Sequence, residues 1–151
     1  MKLIIDVGNT RIVFALFKQS KLHKKLSIKE AGVDFSNSFS SILESFIGEN
    51  SFDSCYLSSV VPSITNSIRD YLKVKYPSVK IVEILPSLET NLVYKVDNPK
   101  EIGADLLADL AIGKEKYGYP CLIADLGTAS KILLLDKTGT FVSSSKMNSH
   151  P

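Results

Sequence analysis

The chain has 151 residues and a mass of 16.6 kDa, with 44% hydrophobic and 23% charged side chains, the balance of a globular protein able to bury a core. Eighteen basic residues stand against 16 acidic ones for a formal net charge of +2, and no block of like charge argues for nucleic acid or a membrane surface as partner. No apolar run approaches the roughly 20 residues of a membrane span, and the N-terminus has the pattern of a strand rather than of a signal peptide, so a cytoplasmic protein is expected.

Leu3-Ile4-Ile5 reads as a buried strand and Ile12 to Phe17 as its return, which makes Asp6-Val7-Gly8-Asn9-Thr10 a tight turn. Gly8 can take positive φ or let a ligand approach the backbone, Asn9 tolerates the same geometry, and Thr10 sets a hydroxyl beside exposed N–H groups. That combination suits phosphate oxygens. Asp6, where the strand opens, is placed to reach a metal ion or polarise a water. A single turn of this composition is ordinarily a solvated hairpin turn and nothing more. The stretch "KLHKKLS" that follows reads as basic surface carrying His23.

Phe39, Ile42, Leu43, Phe46 and Ile47 recur at helical spacing and are closed by Gly48. "DSCYLSSVVP" predicts a strand ending at Pro62, Ile64, Ile68, Tyr71 and Leu72 share one face of a second helix, and "VKIVEIL" predicts another strand. The order strand, strand, helix, strand, helix, strand implies an α/β protein with helices covering a mixed sheet. Cys55 and Cys121 stand apart in apolar contexts without CxxC spacing, which favours buried reduced thiols over a disulfide or zinc ligands.

Asn98, Pro99 and Glu101 form a helix-start pattern, and the helix they predict runs through "IGADLLADLAIGKEKYG" to Gly118 and Pro120. Leu107, Leu110 and Ala111 fit its buried face, and Asp105 and Asp109 lie one turn apart. The opening theme then returns. Leu122 to Ala124 is an apolar strand, Asp125-Leu126-Gly127-Thr128 a turn, and Ile132 to Leu135 a second apolar strand. The two turns are one device used twice, 119 positions apart (125 − 6), which suggests two similar domains each offering a hairpin to one phosphate chain. The other phosphate devices are missing: there is no GxGxxG, and Gly113-Lys114 lacks the P-loop spacing.

With both turns placed, the chain resembles type III pantothenate kinase, of the superfamily of acetate and sugar kinases, Hsp70 and actin. The resemblance is carried by "DVGNT" at 6–10, "SSVVP" at 58–62, "DNPKEIGAD" at 97–105 and "ADLGTAS" at 124–130. It implies a duplicated ribonuclease H-like (actin-like ATPase) fold of mixed sheets with flanking helices. Residues 1–118 would be the first domain and 119–151 the incomplete start of the second. It also implies ATP-dependent phosphorylation of pantothenate to 4'-phosphopantothenate, the first step of coenzyme A synthesis, in a homodimer needing Mg2+ and a monovalent cation, K+ or NH4+.

Under the same resemblance Asp6, Gly8, Asn9 and Thr10 form the first phosphate loop, and Gly127 with Thr128 the second. Asp105 matches the catalytic aspartate, Gly103 and Ala104 border the substrate, and Asp125 helps to hold a cation. Two features depart from the pattern: Leu106 stands where the family motif Gly-Ala-Asp-Arg has arginine, and Ser143 and Ser144 stand where glycines are expected. These departures keep two other readings open, a catalytically silent relative that binds a nucleotide or a partner, and a phosphotransferase with another acceptor.

Overall fold

The structure is a computed structural model that describes residues 1–29, 38–88, 90–98, 102–126 and 130–147. Two compact units divide the chain, Met1–Ile84 and Leu85–Pro151.

In the first unit, β1 (Lys2–Val7) and β2 (Arg11–Lys18) form the expected antiparallel hairpin, with Val7 opposite Ile12. The chain continues through β3 (Lys21–Lys29), α1 (Ser38–Ile47), β4 (Ser54–Ser59), α2 (Pro62–Lys75) and β5 (Lys80–Glu83). The sheet order is β3-β2-β1-β4-β5, with β4 parallel to β1 and β5 parallel to β4. Leu3, Ile5 and Val7 point alternately from β1 into a core with Phe39 and Leu43 of α1 and Ile64, Ile68 and Leu72 of α2. Each such side chain contributes about 1.5–3 kcal/mol relative to exposure. Pro62 opens α2, where its missing N–H costs nothing, and Lys73 and Lys75 lie in the last turn, facing the negative end of the helix.

One strand of this sheet is absent from the prediction. The "KLHKKLS" segment is β3, paired along β2, with Leu26 and Ile28 packed against the core between lysines that face solvent. Lysine-rich edge strands resist pairing with other chains, and His23 is exposed on this one as expected.

The second unit contains β6 (Val93–Tyr94), α3 (Ala104–Tyr117), β7 (Cys121–Leu126), β8 (Ser130–Leu135) and β9 (Thr140–Met147). The sheet order is β6-β9-β8-β7, with β7 antiparallel to β8 and β8 antiparallel to β9. Asp136 builds the β8–β9 turn: its carboxylate accepts the N–H groups of Thr138 (2.8 Å) and Thr140 (3.1 Å), and Gly139 takes φ 74°. The Thr138 hydroxyl, which donates to Asp136 Oδ1 at 2.6 Å, and then these two N–H groups hold the Asp136 carboxyl below the usual aspartate range.

Two expectations about this unit change. The N-cap of α3 is Gly103 rather than Asn98, and of the pattern that predicted an earlier start, Pro99 and Glu101 lie outside the described residues. Ile102 and Ala104 are buried at 8% and 6% exposure, so the chain is pinned by apolar contact just where the helix begins. Second, β6 and β9 were not predicted, because the first has two residues and the second is a serine run without apolar periodicity. Within this unit α3 packs on β7 and β8. Gly113 makes that packing close, since a Cβ there would stand 2.4 Å from Ile123 Cδ1.

The thiols behave differently from one another. Cys55 is fully buried, and burial pushes its thiol up to about 12, while Cys121 is only half-buried. Ellman's reagent is therefore expected to titrate one thiol in the native protein and the second only after denaturant is added; two fast thiols would show that the first core opens readily.

Candidate functional site

Two clusters hold the residues singled out above, one in each unit. The first lies at the tip of the β1–β2 hairpin. Asp6 is exposed beside its parallel neighbour Ser58, whose hydroxyl donates to Asp6 Oδ1 at 2.8 Å. Gly8 N–H donates to the Arg11 carbonyl at 2.9 Å, and Asn9 and Thr10 are exposed at the turn. Neither Gly8 nor Asn9 takes positive φ, and a Cβ on Gly8 would sit 3.4 Å from the Arg11 oxygen, an ordinary contact. Backbone strain thus does not account for Gly8.

The second cluster is built where α3 meets the second hairpin. Asp105 is the second residue of α3, and its Oδ1 accepts the N–H of Leu106 at 2.9 Å. Its Oδ2 pairs with the ammonium of Lys131, which also stands 3.9 Å from Asp125 Oδ2. The antiparallel register sets Asp125 directly opposite Lys131 on the neighbouring strand. Lys131 is 17% exposed and the two carboxylates about one-third exposed, so the triad is partly shielded from water and its attraction is only partly screened.

The structure therefore brings Asp105 and Asp125 together through a lysine that no motif singled out. Ala104 is buried, so of the two residues predicted to border the substrate only Gly103 offers surface. Gly127 and Thr128 lie outside the described residues. Ser58 and Lys131 are the two site residues that sequence reasoning missed. Ser58 belonged to the quoted "SSVVP", but its bond to Asp6 depends on β4 lying parallel to β1, and Lys131 is recognisable only once α3 is docked. A cavity of about 900 Å³ is lined by Leu92, Ile112 and Tyr119 along the far end of α3 from Asp105 and is separate from this cluster. Among the described residues no group of three or more His, Cys, Asp or Glu side chains could hold a metal.

Residues 2–145 match the sequence model of the type III pantothenate kinase family. The chain belongs to this family. Family members of Listeria innocua and Listeria monocytogenes are 32% and 31% identical to it over 149 residues, which is 93% of this chain and 56% of theirs. The chain thus spans little more than half the length of the curated relatives it matches. Among solved structures, the Lmo2764 protein of Listeria monocytogenes superposes with a TM-score of 0.52 at 13% identity, covering 93% of this chain and 48% of that one. The ethanolamine utilization protein EutJ of Carboxydothermus hydrogenoformans gives 0.51 at 13% identity, covering 99% and 52%. These likenesses show the actin-like ATPase fold expected for a type III pantothenate kinase, with the chain matching about half of each neighbour. No described helix is long and apolar enough to cross a membrane.

Proposed function

We propose that this chain carries the phosphate-turn and catalytic-aspartate portion of an enzyme that phosphorylates pantothenate from ATP, in the first step of coenzyme A synthesis. The observation that carries the reading is Asp105 in the first turn of α3, held by Lys131, which also stands 3.9 Å from Asp125. In this reading the Asp105 carboxylate accepts the proton of the pantothenate primary hydroxyl as that oxygen bonds to the γ-phosphorus. ADP leaves with the bridging oxygen, and the product is 4'-phosphopantothenate.

The first hairpin serves the phosphates of ATP through Asn9 and Thr10, because the N–H of Gly8 is already spent on Arg11. Gly127 and Thr128 take the equivalent part in the second turn, and Gly103 leaves room for the acceptor. Mg2+ bound to ATP keeps most of its coordination from phosphate and water and needs few protein ligands. Asp6 fits that need, since Ser58 occupies only one of its oxygens. At Asp125, expected to help hold a cation, the fit is poorer, because the Lys131 ammonium that pairs with Asp105 already stands 3.9 Å from its Oδ2. The same ammonium supplies positive charge near the acceptor, where Leu106 replaces the family arginine. A homodimer in the cytoplasm completes the reading.

Leu106 favours a second reading, a silent relative that binds nucleotide without turnover. The test is to incubate the chain with ATP and pantothenate, alone and with the segment corresponding to the rest of the Listeria innocua relative, and to follow ADP and 4'-phosphopantothenate by mass spectrometry. Both products in the combined mixture are expected. ADP formed only with some other acceptor would reassign the substrate, and bound ATP with no ADP would establish the silent relative.

A further inference from the structure

The ion triad at the start of α3 is drawn from three elements. Asp105 belongs to the first turn of α3, Asp125 to the end of β7 and Lys131 to β8. The antiparallel ladder sets Lys131 opposite Asp125, so the two side chains leave the sheet on one face, and Lys131 Nζ stands 3.9 Å from Asp125 Oδ2. The same nitrogen donates to Asp105 Oδ2. A lysine on a sheet ordinarily carries its ammonium out to water. Lys131 is covered instead: its side chain is 17% exposed, against 34% and 32% for the two acids.

Two carboxylates that converge on one point repel each other unless a positive charge lies with them, and either a side chain or a dissolved ion can supply it. The ammonium brings one unit of charge, the same as K+ or NH4+, the ions that the family resemblance implies. A dissolved cation is bound by exchanging its water for several oxygen ligands at once. Few are free here. Asp105 Oδ1 accepts the Leu106 N–H at 2.9 Å, Asp105 Oδ2 accepts from the ammonium, and Asp125 Oδ2 faces that ammonium too. At similar distances, repulsion from the ammonium offsets the attraction of a carboxylate for a second cation. A charge tethered to β8 also loses less freedom in reaching the pair than an ion from solution does.

We propose that the Lys131 ammonium stands in for a monovalent cation at the Asp105–Asp125 pair, so that this chain takes up neither K+ nor NH4+ there. Lys131 is a positioning residue: it holds Asp105 Oδ2 while the Leu106 N–H holds Oδ1, and it ties the first turn of α3 to the β7–β8 hairpin. The consequence for turnover rests on the kinase reading, whereas the consequence for ion binding does not.

The test is the thermal midpoint of the 151-residue chain at fixed ionic strength in KCl, NH4Cl or tetramethylammonium chloride, whose cation is too bulky for a carboxylate pair. The parent should unfold at one temperature in all of them. Lys131→Met keeps the stem and removes the charge. It should unfold lower in tetramethylammonium chloride and recover by about 3 °C in KCl or NH4Cl, the size expected of an ion present several-fold above its dissociation constant. Adding Asp125→Asn should abolish that recovery, and Lys131→Arg should behave as the parent. If circular dichroism shows Lys131→Met to be unfolded, Lys131→Gln takes its place. Thallium NMR, which reads a bound K+ analogue directly, should show line broadening with the neutral variant and none with the parent. A parent stabilised by KCl, with the effect lost in Asp125→Asn, would overturn the proposal. So would a folded Lys131→Met that responds to no cation. With the remaining segment of the Listeria innocua relative present, replacing KCl by tetramethylammonium chloride should leave ADP release by the parent unchanged and slow that of Lys131→Met on the order of tenfold. No ADP in any salt would count against the kinase reading alone, because the midpoints still decide the cation question.

Discussion

Asp105→Asn is expected to lower phosphoryl transfer by roughly 100- to 10,000-fold in the assembled enzyme, the usual contribution of a positioned general base. The substitution is close to isosteric, and the amide oxygen can still accept the Leu106 N–H that Asp105 Oδ1 accepts at 2.9 Å. What it cannot do is take a proton from the acceptor hydroxyl. Lys131 keeps a partner, because Asp125 Oδ2 stands 3.9 Å away, so the substitution does not strand a half-buried ammonium. Fold and ATP affinity should therefore change little. The measurement is kcat for ADP release set beside the thermal midpoint and the equilibrium affinity for ATP. A variant that keeps the parental kcat would remove Asp105 from the mechanism, and one that loses ATP affinity as steeply as rate would make it a structural residue instead.

The parts of this molecule that sequence alone made legible are those whose signal is local. The β1–β2 hairpin, α1 and α2 follow from alternation and from helical spacing of residues such as Leu43 and Ile68, and burial confirms both. The repeated turn was visible because Asp, Gly and Thr recur in the same order after equivalent apolar strands. The illegible parts depend on contacts distant in sequence. β3 looks like a solvated basic stretch until β2 supplies the ladder for it. The Asn98–Pro99–Glu101 pattern satisfies every local rule for a helix start, yet burial of Ile102 and Ala104 sets the start at Gly103. Lys131 joins Asp105 across 26 positions, and nothing in its own neighbourhood announces a partner on another element.

The 151-residue chain without the rest of a family member is expected to show little or no pantothenate kinase turnover, and Leu106→Arg alone is not expected to restore it. Phosphoryl transfer asks little covalent chemistry of the protein and depends on holding donor and acceptor in line while charge is neutralised, effects worth about 7–11 kcal/mol when positioning is complete. This chain brings two turns and one aspartate to that task and matches 56% of the length of a curated relative. An arginine at position 106 would add a cation next to Asp105, but Lys131 already pairs with that carboxylate, so charge beside the acceptor is not what is missing. Leu122 and Leu126 are 65% and 81% exposed on the second sheet, so positioning rather than charge is the expected deficit. Turnover should be measured on a preparation whose intact mass ends at Pro151. A rate near that of the Listeria innocua relative would refute the prediction and mean that a second copy of this chain supplies the remaining positioning.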